Sequence, residues 1–363
     1  MNGPLRALGI ALATAALTAA CAAGSDEPAV GADIREIVEV WYGPSETGGV
    51  VAAVGLPDGS IHTEVLGDAA PDQPARADDL MRAGSITKTF VAALALRLDE
   101  QGVLSLDDPV SVHLPELGIA EPVTVRHLLS HTSGIGDPAP ELLIGEFQAD
   151  SGRAYDYADL IAFADVPTDP TSSTGSFAYA NAGYHVLGGV IERAAGTDVA
   201  SLLRSEILER AGLSDTYMVG FEELPRTVVP GNVDLEGDGE VDSLADIPYL
   251  AVDTYSWTAG AIATTPRDLV TFARSLFDGT LLSQESLDAM TATPPDGGYG
   301  LGLVDVGGSW GHNGGAPGYH AVFAHDPGRG LTAALFTNCP ACATGTANTW
   351  EIIDGLLGIA AAA

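Results

Sequence analysis

The apolar pattern of this chain changes period twice, and no other feature limits its architecture as strongly. Gly49 to Leu66 alternates around Leu56-Pro57-Asp58-Gly59 and reads as a β-hairpin, preceded by a short predicted helix over Ile34 to Trp41. From residue 85 the period becomes helical. Residues 85 to 101 form the strongest helix, with Val91, Leu94 and Leu98 on one face and Gly102 as its stop. Val186 to Ala195 and Val199 to Ala211 continue the helical middle, which runs with long loops to about Tyr249. Pro266 to Leu276 is another helix, with Thr265 as cap and Pro266 in the first turn. Strand-like sequence then returns at Tyr299–Val306, His320–His325 and Leu331–Phe336, between Gly- and Pro-rich turns, before a closing helix over Thr346 to Leu357. No internal repeat or second domain boundary interrupts this order. It predicts one α+β domain over residues 34–363 whose sheet is completed by both chain ends around a helical insertion. The sheet lobe would take residues 34–84 and 255–363, and the mainly helical lobe residues 85–254.

A chain of 363 residues has enough apolar sequence to build a core without disulfides. Its formal charge is −34, from 49 acidic against 15 basic residues. Such a surface repels nucleic acid, so no nucleic-acid partner is expected. Arg6 followed by apolar, alanine-rich Ala7–Ala20 reads as an export signal over residues 1–20, too short for a comfortable membrane span. Leu17-Thr18-Ala19-Ala20-Cys21 resembles a bacterial lipoprotein signal, with Cys21 as the lipid anchor and residues 21–33 as a tether. An ordinary cleavable signal with a chance cysteine is the alternative. Either way the protein is expected to be exported, as a lipoprotein on the outer face of the cell membrane or secreted. The remaining cysteines, Cys339 and Cys342, then suit a local disulfide better than a thioredoxin-type redox motif, which belongs at a helix start early in a fold.

Every cation outside the histidines is arginine except Lys88. Lysine sheds its proton when desolvated and arginine does not, so a sole lysine suggests a position needing a titratable amine. Gly84-Ser85-Ile86-Thr87-Lys88 opens the strongest helix. Residues at i and i+3 share a helix face, which places the Ser85 hydroxyl beside the Lys88 amine, at a helix N-terminus that favours developing negative charge. A neutral lysine there can take the proton of a serine nucleophile. Taken alone, the spacing is also consistent with chance.

Two further elements follow in order. Tyr179-Ala180-Asn181 lies after a Ser/Thr/Gly loop and before a helix, and His312-Asn313-Gly314-Gly315 lies beside strand-like sequence. With Ser85-x-x-Lys88 these look like the Ser-x-x-Lys, Tyr-x-Asn and His-x-Gly motifs of the serine β-lactamase-related family. The chain most resembles class C β-lactamases and D-alanyl-D-alanine carboxypeptidases. Val125 to Gly134, Phe177 to Glu192, Trp257 to Leu269 and Tyr299 to Leu303 extend the likeness over nearly the whole mature chain. The resemblance implies an antiparallel sheet flanked by helices and an acyl-enzyme mechanism on amide or ester bonds of a small-molecule or peptide substrate, with no cofactor or metal. It assigns Ser85 as nucleophile, and Lys88 and Tyr179 as proton shuttles. Asn181 would orient Lys88 and a substrate amide, and His312 would support the charge state of Tyr179. The N–H groups of Ser85 and Gly315 would form the oxyanion hole, and Asn313 and Gly314 would contact substrate. Asn313 and Gly315 stand where the carboxypeptidases often carry threonine, and no arginine closely follows Leu303. That departure leaves room for an esterase or amidase with a less anionic substrate. A silent binding lipoprotein that keeps the fold is the reading from another class.

Three other patterns compete for attention. Gly307-Gly308-Ser309-Trp310-Gly311 matches a nucleophile elbow, but the Gly- and Pro-rich sequence after it is a poor helix start and predicts a hairpin turn. His127 and His131 have a metal-ligand spacing without an intervening carboxylate and are expected to be structural. Asp234, Glu236, Asp238 and Asp242 resemble half a calcium loop, yet Ala245 stands where the twelfth-position glutamate belongs, so a solvated acidic loop is expected.

Overall fold

The computed structural model describes residues 27–42, 48–119, 123–165, 174–234, 241–293, 298–338 and 349–359. Cys21, Cys339 and Cys342 lie outside these residues, as do residues 235–240 of the acidic loop, whose arms pair antiparallel as Asn232↔Ser243 and Val233↔Asp242.

The main sheet has seven strands. They are β1 (Gly49–Gly55), β2 (Ile61–Ala70), β3 (Gln73–Pro74), β4 (Val304–Val306), β5 (Ser309–Ala316), β6 (Tyr319–Asp326) and β7 (Leu331–Thr337). Their order is β3-β2-β1-β7-β6-β5-β4, antiparallel throughout. The N-terminal hairpin therefore docks on the C-terminal strands at the centre, with Val51 opposite Phe336, and both chain ends complete one sheet. Strand β1 is a continuous buried apolar run because both its faces are covered. Val51 and Ala53 face the main core, whereas Val50, Ala52 and Val54 face a second cluster under α1 (Glu27–Tyr42) and the C-terminal helix Thr349–Ile359.

Helix α1 begins at Glu27, inside the stretch read from sequence as tether. Val30, Ile34 and Val38 recur every four residues and bury one stripe against the sheet, where they meet Ile352 and Leu356. The strand predicted over Tyr299–Val306 is shorter, covering only Val304–Val306, and Tyr299 makes an isolated bridge to Val304.

The opposite face of the sheet is packed by the helix Pro266–Phe277, and behind that helix lies α2 (Thr87–Glu100), preceded by a 3-10 turn at Gly84–Ile86. Its sequence suggested one apolar face, but every residue from Thr87 to Leu96 is buried. The two buried threonines are satisfied outside the helix. Thr89 donates to the Gly302 carbonyl at 2.7 Å, and Thr87 accepts from the Ile262 N–H at 2.9 Å. Phe90 stacks on Phe272 of the helix Pro266–Phe277, whose cap Thr265 accepts from the Asp268 N–H as the sequence predicts.

A short second sheet joins Met81–Arg82 and Tyr217–Met218 to Ile262–Thr264 and holds the chain just before Ser85. Arg82 is buried there and donates to both Asp253 oxygens, at 2.7 and 2.8 Å, and to the Tyr319 hydroxyl at 3.1 Å. Its guanidinium lies 3.8 Å over the Tyr249 ring. One fully paired ion thus ties this strand to the helix Leu250–Gly260 and to β6. Removing one partner of such a pair strands a buried charge. Asp253→Ala is accordingly expected to cost about 3–5 kcal/mol, measured as a lowered midpoint in urea unfolding.

Candidate active site

Ser85 occupies the 3-10 turn at the head of α2, and two glycines bring a strand against it. Gly84 has φ +52°, and a Cβ there would meet the Gly315 carbonyl oxygen at 2.4 Å. A Cβ on Gly314 would lie 1.9 Å from the Ala83 carbonyl oxygen and 2.9 Å from the Ser85 nitrogen. Strand β4 pairs with β5 only over Ser309–Gly311, so beyond that point β5 lies along the turn at residues 83–85 instead. His312, Asn313, Gly314 and Gly315 are thus on the strand itself. The glycines that make this stretch look like a loop are what permits the close approach.

Lys88 is fully buried one helical turn below Ser85. Its Nζ lies 3.1 Å from Ser85 Oγ, and 2.8 Å from both Asn181 Oδ1 and the Ala259 carbonyl oxygen. Asn181 opens the helix Asn181–Ala195. The helix carrying Ala259 breaks at Trp257 (φ 32°, ψ −121°), two residues before that carbonyl. The Tyr179 ring centroid is 4.9 Å from Nζ. Ser85, Tyr179, His312, Asn313, Gly314 and Gly315 line one cleft of about 540 Å³. Ser85 also lines a smaller pocket of about 180 Å³ with Asn181, Ala259 and Gly315.

A serine at the junction of two pockets, held to a buried amine, has the geometry of a nucleophile with its base. The β-lactamase family model matches residues 37–355. The chain belongs to that family of serine hydrolases.

Its relatives span several activities. It is 31% identical over 291 residues to penicillin-binding protein 4 of Amycolatopsis lactamdurans, covering 72% of each chain. Identity to the putative penicillin-binding protein PbpX of Bacillus subtilis (strain 168) is 27% over 256 residues, covering 70% of this chain and 61% of that one. Esterase EstB of Burkholderia gladioli is 35% identical over 176 residues, 43% of each chain. Among solved structures, the D-amino acid amidase from Ochrobactrum anthropi SV3, complexed with L-phenylalanine amide, superposes with a TM-score of 0.76. That match has 26% identity and covers 91% of this chain and 98% of the amidase.

Burial sets the protonation states in this site. Desolvation pulls the Lys88 pKa down to about 7, opposed by the Asp137 carboxylate. Tyr179 as a residue is 43% exposed and lines the cleft. Burial of the group nevertheless pushes its pKa up to about 12, against a hydrogen bond with Ser85, so it is a neutral phenol at pH 7. Desolvation likewise holds His312 at about 3 and His131 at about 2, so both imidazoles are neutral.

Three residues that the sequence did not assign to the site support this arrangement. Asp137 accepts from the Asn181 N–H at 2.9 Å, from Asn181 Nδ2 at 3.1 Å and from the Ala182 N–H at 2.7 Å. It caps the helix and fixes which amide atom faces Lys88. His131, set aside with His127 as structural, packs 4.2 Å from the Tyr179 ring centroid. Its Nδ1 accepts from the Ala180 N–H at 3.2 Å, which leaves Nε2–H to donate to Tyr299 Oη at 3.3 Å. Tyr299 is the third. Its hydroxyl lies 3.0 Å from His312 Nε2, and His312 Nδ1 lies 2.5 Å from the Asn313 carbonyl, fixing the tautomer in which Nε2 accepts. Both nitrogens of His312 are thereby engaged away from Tyr179, whose ring centroid is 6.4 Å away. His127 instead closes a capping box with Thr124. Tyr299 lay inside a stretch with a family look, whereas Asp137 is one loop acid among 49 and carried no signal.

Lys88 is the group here whose pKa falls between pH 5 and 9. Its neutral form is the base, so acylation should fall about tenfold per pH unit below about 7 and level off above it. Asp137→Asn removes a charge that favours the ammonium, so the acidic limb should move to lower pH. Both are read from kcat/KM of a non-titrating ester against pH.

Proposed function

We propose that the protein hydrolyses ester or amide bonds of small, weakly anionic substrates through an acyl-enzyme on Ser85. The carrying observation is the 3.1 Å contact between Ser85 Oγ and a fully buried Lys88 amine. Neutral Lys88 accepts the Ser85 proton as Oγ attacks the carbonyl carbon. The N–H groups of Ser85 and Gly315 receive the oxyanion. As the bond to the leaving group breaks, the proton passes through the Tyr179 hydroxyl to the departing oxygen or nitrogen. Water then attacks the acyl carbonyl and gives its proton to the same pair, and Ser85 leaves as the hydroxyl. Asn181 holds Lys88 in place, His312 positions Asn313 by its bond to that carbonyl, and Asn313 and Gly314 line the substrate side.

The charge of the two pockets supports an esterase or amidase over a carboxypeptidase. No arginine is among the described residues lining either pocket next to Ser85. Arg82, three residues upstream, is committed to Asp253 and Tyr319. A substrate carboxylate would therefore enter without a cation, in a chain of net charge −34. Export through the N-terminal segment, with Cys21 as lipid anchor, is part of the same proposal and rests on the sequence of residues 1–21.

A panel of a short-chain nitrophenyl ester, a chromogenic cephalosporin and a D-Ala-D-Ala peptide tests the reading. The ester should turn over fastest, and Ser85→Ala should lose at least about a thousandfold in kcat. Ester hydrolysis that survives Ser85→Ala would move the nucleophile elsewhere. A protein that takes no fluorophosphonate or penicillin label would favour a silent binding role.

A further inference from the structure

Two hollows meet at Ser85, and of the two Tyr179 lines only the larger. In the reading above Tyr179 passes the proton to the leaving group, so the leaving group occupies the larger cleft. The acyl group then points across Ser85 into the smaller pocket, beside Asn181 and Ala259. At about 180 Å³ that pocket falls short of the roughly 300 Å³ of an ordinary ligand site, so a longer acyl group must run on beyond it. Phe147, Val252 and Pro317 line both this pocket and a groove of about 580 Å³, so the two hollows adjoin across these side chains.

The groove is lined by the helix Pro140–Ala149 and by the segment 244–252. Ile144 and Ile247 line it from these two segments and are 54% and 40% exposed. Leu142 and Leu250 on the same segments are exposed as well. Four of the ten exposed large apolar side chains among the described residues are thus gathered here. No residue of the helix is buried, so its apolar side chains gain by covering an apolar ligand. Asp246 is the one charged side chain among the described residues of the groove, which offers no cation to an anionic headgroup. The geometry points to this groove as the binding site for the apolar tail of a medium- or long-chain acyl group whose carbonyl lies at Ser85. This rests on the hydrolase reading above and names the acyl half of its substrate.

The test is a nitrophenyl ester series from acetyl to octanoyl, each below its micellar concentration, read as the octanoyl-to-acetyl ratio of kcat/KM. A fully buried methylene is worth about fourfold, so even a half-open groove should give a wild-type ratio of about tenfold or more. The gain should appear chiefly in KM, because the tail binds ground state and transition state alike. I144D/I247D should bring the ratio close to one, as should V252W where the two hollows adjoin. V112D charges an exposed apolar residue elsewhere and should keep the wild-type ratio. Should V252W fail to fold by circular dichroism, I144D/I247D, at exposed positions, supplies the comparison. A wild-type ratio near one, or a ratio unmoved in folded I144D/I247D, overturns the inference. If in addition I144D/I247D abolishes a dimer seen in sedimentation, or binding to phosphatidylcholine vesicles, the groove belongs to a second copy or to a bilayer instead. Fluorophosphonate labelling separates the two failures. A labelled Ser85 with no chain-length preference sinks only this inference, whereas an unlabelled protein that hydrolyses none of the esters sinks the hydrolase reading and this with it.

Discussion

A primary amine closed off from water has to do without most of its charge stabilisation, and the site is organised around that fact. Lys88 has three polar neighbours within 3.1 Å. An ammonium would donate to all three. A neutral amine donates to two, the Asn181 and Ala259 oxygens, and turns its lone pair to the Ser85 hydroxyl. The coordination thus already suits the deprotonated state, and desolvation supplies the driving force towards it. Asp137 pulls the other way, because its carboxylate favours the ammonium.

The surrounding structure holds those neighbours still. His131 has φ +56° and Trp257 φ +32°, two strained non-glycine positions that flank the site. One presents the imidazole under Tyr179, and the other breaks the helix that delivers the Ala259 carbonyl. Neutral imidazoles at 131 and 312, joined through the Tyr299 hydroxyl, brace the cleft without adding positive charge that would push Lys88 still lower. Arg82, close by in sequence, is held out of the cleft by Asp253 and the rings of Tyr249 and Tyr319.

Much of the fold was legible because its signals are local. The turn Leu56-Pro57-Asp58-Gly59 marked the hairpin of β1 and β2, although β1 is one buried apolar run and does not alternate, and the helical period marked α2 and the helix Pro266–Phe277. Other features were hidden where a tertiary contact overrides propensity. Glycines disguised β5 as a loop because the strand must lie against Ala83 and Ser85. Small residues disguised the start of α1, whose stripe is apolar only against a sheet built from the far end of the chain.

The sequence alone determined the order of elements, the Ser85–Lys88 spacing and the chemical types in all three motifs, since each is written in neighbouring residues. Tertiary structure alone decided that Lys88 is fully buried, that Asp137 grips Asn181 from 44 positions away and that His131 meets Tyr299 across 168. Desolvation and hydrogen bonding depend on what stands within a few ångströms, and separation along the chain carries no record of that distance until the chain has folded.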